Sequence, residues 1–476
     1  MNGENAMSFY SVLPPALQPK SRSRSMGLKL IVVCALALLM TIPALFVFAL
    51  VEDRTIREAE VIKDISNYVG GRQTFLGPTL AIPFSIPPQS PADSVHHGTY
   101  IVFPAQASAT VKTTTEERHR SLFRVPVFQA NLKLDATFDL TGVPTAAPQG
   151  AVLDWSRAEI VVGVSDARGA MADALLSLDG KSSTMVPAEV SQRISISGEQ
   201  GQALNLTLFG ADAGAIAKPG ARFDTTATLR FSGAQRIALL TYGKTTHLTM
   251  QGDWPNPGFD GGFLPINRTI TSSGFTADWS VPFIARGVRA EGQSDTITAL
   301  DATALGVSFV EVADPYQSVN RSLKYAPLFL GLLFLTFFIF EVTTGKRVHP
   351  AQYILVGVAQ VIFYLLLLSF AERIGFDFGF LLGGAATVLL LAANARWIFA
   401  SRTQGVRALV IFTLLYGLIY MLLRLEDNAL LVGAIASFLA VAAAMYFTRG
   451  IDWYGSIPAP GAEPQGGSSP VPKEAA

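Results

Sequence analysis

The chain has 476 residues, half of them apolar and 15% charged, which is too long for one ordinary domain and leans toward a membrane class. With 36 basic side chains against 36 acidic ones and no basic stripe interleaved with aromatics, it lacks the means to neutralise a phosphate backbone, so nucleic acid is excluded as a partner. Its one cysteine, Cys34, lies inside the first apolar run, so the soluble part has no internal disulfide and is stabilised by burial alone.

Residues 1–29 read as a disordered cytoplasmic segment. From Leu30 to Leu50 runs an uncharged stretch of 21 residues, enough at about 1.5 Å per residue to cross a hydrocarbon core of roughly 30 Å. The basic flank of Lys20, Arg22, Arg24 and Lys29 also suits a cleaved secretory signal, with Val47-Phe48-Ala49 as the cleavage site. The run is longer than a signal core, which favours an uncleaved anchor. Glu52 to Tyr68 carries Ile56, Ile62 and Ile65, with Val69 following, at near-helical spacing between charged residues, predicting an amphipathic extension of the anchor. Gly70-Gly71 ends it, and Thr79 to Phe84 opens an extended pattern.

Strand-like alternation follows at Leu132–Leu140, Leu204–Phe209 and Thr226–Phe231, with a second helical interruption expected around Arg168–Leu178. Trp254 to Pro265, rich in Pro, Gly and aromatic residues, reads as a rigid non-strand loop. Short strands between Gly, Pro and Asn turns predict a large antiparallel β-sandwich-like domain over residues 51–324.

Five further apolar runs occupy about Tyr325–Thr343, Tyr353–Ala371, Phe376–Asn394, Val406–Leu423 and Ala429–Phe447, predicting a five-helix transmembrane bundle over residues 325–448 and six spans in all. Lys346, Arg347, Arg396, Arg402, Arg407 and Arg449 fall in loops on one side together with the basic N-terminal segment, so that side is expected to be cytoplasmic. Glu372, Arg373, Asp377, Arg424, Glu426 and Asp427 fall on the other. Both termini are then cytoplasmic and residues 51–324 periplasmic, with residues 449–476 a cytoplasmic disordered tail.

Around the second span the order Gly306-Val307-Ser308-Phe309, Asp314, Tyr316-Gln317, Arg321-Ser322, Lys324-Tyr325 and Phe340-Glu341-Val342 is followed by His349-Pro350, Gln352-Tyr353, Leu355-Val356-Gly357, Leu365–Ser369, Glu372 and Ile374-Gly375-Phe376. Upstream stand Gln73, Gly77-Pro78, Leu80, Ile82-Pro83, Ser165-Asp166, Trp254-Pro255, Pro257, Phe259, Gly261, Phe263-Leu264-Pro265, Gly274-Phe275 and Trp279. In this order, over residues 28–447, the chain resembles the CreD family of bacterial inner-membrane proteins. The resemblance implies a Gram-negative inner-membrane protein tied to envelope integrity and to a two-component regulon answering cell-wall or β-lactam stress. It implies no catalytic residues and no cofactor.

The residues themselves point the same way. No Gly-x-Ser-x-Gly elbow, His-Glu-x-x-His helix or phosphate loop is present, and the adjacent His96 and His97 would point to opposite faces of a strand, which does not suit one metal ion. The candidates that remain are Trp254, Pro255, Phe259 and Phe263, as a ligand-gripping loop or as a cover for one end of the sandwich; Glu341, expected near the cytoplasmic interface with Lys346 or Arg347 as its ion-pair partner; Gln360, expected to join helices through its amide; and the outer-side Glu372. Gly379 and Gly383 form a small-xxx-small pair. The leading expectation is a non-enzymatic envelope-stress protein whose outer domain binds or senses an envelope protein or lipid. The alternative is a transporter or lipid-handling protein that uses the bundle, with Glu341, Gln360 and Asn394 as its polar groups.

Overall fold

A computed structural model describes residues 26–88, 94–120, 122–143, 147–148, 150–189, 193–197, 203–310, 315–424 and 429–449. Of the two expected disordered termini, residues 1–25 and 450–476 lie outside the described residues, as does the loop carrying Glu426 and Asp427, whereas Met26–Lys29, expected to be disordered, begin a helix. The chain divides into two compact units, residues 53–314 and residues 1–52 together with 315–476.

Helix α1 (Met26–Leu39) and helix α2 (Thr41–Val69) form one apolar-then-charged rod interrupted at Met40. Pro43 has no N–H to give and its ring opposes the carbonyl of residue 39, which accounts for the break. The Thr41 hydroxyl satisfies the Leu38 carbonyl at 2.6 Å. The expected helical extension past Leu50 is present and runs to Val69, where Gly70 takes φ 78°, a backbone that glycine adopts without steric cost.

Residues 53–314 carry an eleven-stranded and an eight-stranded sheet. The first has the order Arg193–Ser197, Ala203–Asp212, Glu159–Val164, Gln73–Ile86, Arg236–Leu239, Leu305–Phe309, Pro257–Gly261 along its main path. The second runs Asn267–Thr271, Gly274–Val281, Thr245–Gly252, Gln106–Arg120, Phe123–Asp139, Arg222–Ala234, Leu175–Leu178, Lys181–Thr184. Both are mixed rather than antiparallel throughout: Gln73–Ile86 pairs in parallel with Arg236–Leu239, and Gln106–Arg120 with Thr245–Gly252. Parallel neighbours need long crossovers, here well over a hundred residues, a pairing that local alternation does not report.

The alternating strands read from sequence do face inward on alternate residues, Leu132, Leu134 and Phe138 among them. One continuous core joins both sheets, with the Phe75 and Phe231 rings meeting edge to face at 5.4 Å. Two local expectations are corrected. Arg168–Leu178 is no helix: a single 3-10 turn at Ala167–Gly169, capped by the Asp166 carboxylate, gives way to the strand Leu175–Leu178. Leu176 and Leu178 point inward there against Arg222–Ala234, a period of two that outweighs the helical spacing. Trp254–Pro265 is not strand-free, since Pro257–Gly261 pairs with Leu305–Phe309. Proline is tolerated at the first position of such an edge strand. Two one-turn helices, α3 (Phe283–Arg286) and α4 (Asp295–Thr298), complete the unit.

The other unit continues with α5 (Pro315–Lys324), α6 (Ala326–Thr344), α7 (Pro350–Ile374), α8 (Phe376–Phe399), α9 (Arg402–Arg424) and α10 (Ala429–Thr448). Six stretches, the α1–α2 rod and α6 to α10, are long and apolar enough to cross a membrane. α5 was not foreseen; its Tyr316, Val319 and Leu323 are buried at spacings that fit one helical face. α1 lies against α6 and α7, and α7, α8 and α9 pack consecutively. Gly379 allows the start of α8 to approach α7 closely: a Cβ there would stand 2.9 Å from the Ala371 nitrogen, the close approach expected of small residues.

Candidate functional site

Glu341 is the most constrained ionisable group of the helical unit. It sits in the last turn of α6 and is 1% exposed. Gly345, at φ 66°, ends α6 and turns the chain back, so that the Val348 N–H donates to Glu341 Oε1 at 3.0 Å. The Tyr353 hydroxyl of α7 donates to Oε2 at 3.0 Å. The cation is Lys29 of α1, whose Nζ donates to Oε1 and, at 2.8 Å, to the Val348 carbonyl.

This corrects the expected pairing with Lys346 or Arg347. Lys346 instead donates to the Phe399 carbonyl, the last residue of α8. A carboxylate at a helix C-terminus and an ammonium in a first turn each oppose the local helix dipole, so the pair is favourable through contact across helices. From the sequence, Lys29 stands only as part of the basic flank. The missed signal is that the first turn of α1 and the last turn of α6 share a membrane face whenever both helices span.

Gln360 is fully buried in α7 and its Oε1 accepts from the Tyr416 hydroxyl of α9 at 2.7 Å, the interhelical contact expected of it. Its Nε2 has no partner among the described residues. Glu372 accepts from the Tyr316 hydroxyl at 3.1 Å, joining α7 to α5. Glu341, Gln360 and Glu372 therefore occupy separate levels of the helices and form no single site.

In the β-rich unit the aromatic candidates seal a sheet edge. Trp254 Nε1 donates to the Val310 carbonyl at 3.2 Å, and its ring stands edge-on to Phe309 at 6.2 Å. Phe259 meets Phe275 and Trp279 at 6.1 and 6.0 Å, with the Arg268 guanidinium 5.9 Å from its ring. The Phe263 carbonyl accepts from Trp279 Nε1 at 3.1 Å. Trp254, Pro255, Phe259 and Phe263 are each half-buried. Leu264 and Ile266, next to them, are two-thirds exposed.

A tighter constellation lies where α2 meets the sheets. Val61, Ile62, Ile65 and Val69 pack on Val125, Val127 and Ala234. The buried Gln73 amide donates to the Asp166 carbonyl at 3.0 Å and the Ser232 carbonyl at 3.2 Å, and Ser165 Oγ accepts from the Thr74 N–H at 2.9 Å. Ser232 Oγ donates to the Val69 carbonyl at 2.6 Å. Arg168 grips the Asp166 carboxylate with two donors at 2.9 and 2.7 Å and reaches Asn67 of α2 at 3.2 Å. Burial alone would raise the Asp166 carboxyl, but the Arg168 bonds and charge together with the Gly71 N–H outweigh it and hold it below the ordinary carboxylate value. Gln73 and the Ser165-Asp166 pair, two separated motifs of the resemblance, thus converge on one knot.

Arg286 at the end of α3 is the other group that the sequence did not single out. It is 3% exposed, and none of its three side-chain nitrogens has a hydrogen-bond partner among the described residues. Its guanidinium lies 4.1 Å from the Phe103 ring centroid, and burial pushes its pKa down to about 10. Removing a buried charge that lacks a counter-ion is expected to stabilise, by more than the lost ring contact costs. Arg286→Met therefore raises the melting temperature of the full chain in detergent, corresponding to about 1–2 kcal/mol; a lowered melting temperature would show that the guanidinium has a partner.

Among the described residues no group of three or more His, Cys, Asp or Glu side chains is placed to hold a metal ion. The profile of the family described as Inner membrane protein CreD matches residues 25–454. The Escherichia coli (strain K12) protein of that same description is 29% identical over 423 residues, covering 88% of this chain and 91% of its own length.

Proposed function

Because the chain belongs to the CreD family of inner membrane proteins, we propose that it is a non-enzymatic envelope-integrity protein, acting in the response to cell-wall stress. In this reading residues 53–314 face the periplasm and bind or sense an envelope component, a protein or a lipid, while the helices hold them at the membrane. The carrying observation is that α2 is one continuous helix from Thr41 to Val69 and belongs to both units. Its C-terminal half is fixed to the sheets by the Ser232 bond to the Val69 carbonyl, by the Arg168 bond to Asn67 and by the packing of Val61, Ile62, Ile65 and Val69, and the preceding α1 is tied through Lys29 to α6 and to the loop that follows it. The chain thus passes between the two units within one helix.

The excess of Lys and Arg in the loops on one side of the spans supports the orientation. The exposed Leu264 and Ile266 beside the aromatic edge are the place to look for the partner, because neighbouring exposed apolar side chains on a soluble surface mark contact sites. A photocrosslinking residue at position 264 or 266, in cells treated with a wall-active antibiotic, is expected to capture a discrete envelope partner. Repeated capture of nothing above a control at exposed Ser182 would remove this reading.

A further inference from the structure

Between α8 and α9 lies a groove of about 630 Å³, apolar along its length and half-open to the side. Its lining on α8 begins at Asp377 and ends at Leu389, a rise of about 18 Å along the helix. That is close to the depth of one leaflet, half of a hydrocarbon core of roughly 30 Å. The floor is built from small residues, Gly384 and Ala385 on α8 and Gly417 on α9. A Cβ at Gly417 would meet nothing within 4 Å.

A run of about 18 Å lined mainly by apolar side chains suits a single hydrocarbon chain of one leaflet.

One end carries the charged groups. Asp377, in the first turn of α8, accepts from the Tyr420 hydroxyl at 3.1 Å and from Arg424, the last residue of α9. The Arg424 guanidinium lies 5.7 Å from the Tyr420 ring centroid. Both charged side chains are about half exposed, 57% and 50%, so each keeps free hydrogen-bonding directions beyond their mutual contact. Among the described residues the mouth thus presents a cation and an anion side by side. That pattern complements a zwitterionic headgroup, phosphate against guanidinium and primary ammonium against carboxylate.

We propose that the α8–α9 groove is a binding site for a zwitterionic, amine-bearing phospholipid, with one acyl chain over Gly384 and Gly417 and its headgroup on Arg424 and Asp377. The inference uses the helical unit alone, so it stands or falls separately from any partner of the β-rich unit. Native mass spectrometry of the full chain in detergent, with phosphatidylethanolamine or phosphatidylglycerol of matched chains, tests it. The expected result is retention of phosphatidylethanolamine at least fivefold over phosphatidylglycerol. Gly417→Trp, which fills open space, cuts retention at least tenfold, and Asp377→Asn lowers the headgroup preference while sparing chain binding. Leu414→Trp, exposed on α9 outside the groove, leaves retention unchanged and controls for added bulk. Equal retention of the two lipids, full retention by Gly417→Trp, or a dimer that Gly417→Trp dissociates would overturn the proposal, the last by showing that a second copy covers the groove.

Discussion

Lys29→Met lowers the stability of the full chain in detergent by about 3–5 kcal/mol, the usual cost of removing one partner from a buried ion pair. The reason is the asymmetry of the site. Glu341 is 1% exposed whereas Lys29 keeps 21% of its side chain accessible, so losing the lysine strands the fully buried charge. Two neutral donors, the Val348 N–H and the Tyr353 hydroxyl, would remain on the carboxylate and only partly compensate it. Glu341→Gln is milder, about 1–2 kcal/mol, because its amide oxygen still accepts from Lys29 and Val348. The double variant Lys29→Met with Glu341→Gln is then close to the Glu341→Gln single. Denaturant titrations of all four proteins form a cycle that isolates the coupling; strictly additive effects would show that the pair does not interact as described.

The second large effect falls at the helix-to-sheet knot. A Cβ on Gly169 would stand 2.3 Å from the Ser232 carbonyl oxygen and 2.5 Å from the Gln73 amide nitrogen. Neither neighbour is free to yield, since Ser232 belongs to the Arg222–Ala234 strand paired along its length with Phe123–Asp139, and the Gln73 amide is held by two carbonyls. Gly169→Ala combines overpacking with broken buried hydrogen bonds, and about 3–4 kcal/mol is expected to be lost. Gly180→Ala, with φ 77° but nothing within 4 Å of its Cβ, measures backbone strain alone and costs about 1 kcal/mol. Equal melting temperatures for the two variants would contradict the packing described at Gly169.

Features set by local periodicity were legible in the sequence. The apolar runs became α6 to α10 with ends displaced by a few residues, and the Ile62, Ile65, Val69 spacing became the face of α2 that packs on Val125 and Val127. What stayed hidden depends on distant partners. Lys29 and Glu341 are 312 residues apart, and no local pattern pairs them. The parallel pairing of Gln73 with Ile237 and the edge strand Pro257–Gly261 against Leu305–Phe309 are likewise decided by tertiary context, which overrides the low strand propensity of Pro and Gly. α5 is different: Tyr316, Val319 and Leu323 carry a readable helical spacing, obscured by their place at the end of the expected β-rich domain.

Gln73, Ser165 and Asp166 show the reverse case. They stood out in the family resemblance without a physical reason, and the reason is the knot that seats α2. Trp254 and Phe259 stand out as aromatic residues in a Pro- and Gly-rich stretch, and their rings contact Phe309, Phe275 and Trp279.

The side of the membrane on which residues 53–314 lie is open to direct measurement because Cys34 is the only cysteine of the chain. In a Cys34→Ala background, Ser182→Cys places a single thiol on an exposed edge strand of the eight-stranded sheet. A maleimide that passes a permeabilised outer membrane but not the inner one is predicted to label it in intact cells as fully as after lysis. Labelling that appears only once the inner membrane is broken would place the β-rich unit in the cytoplasm and contradict the proposed function.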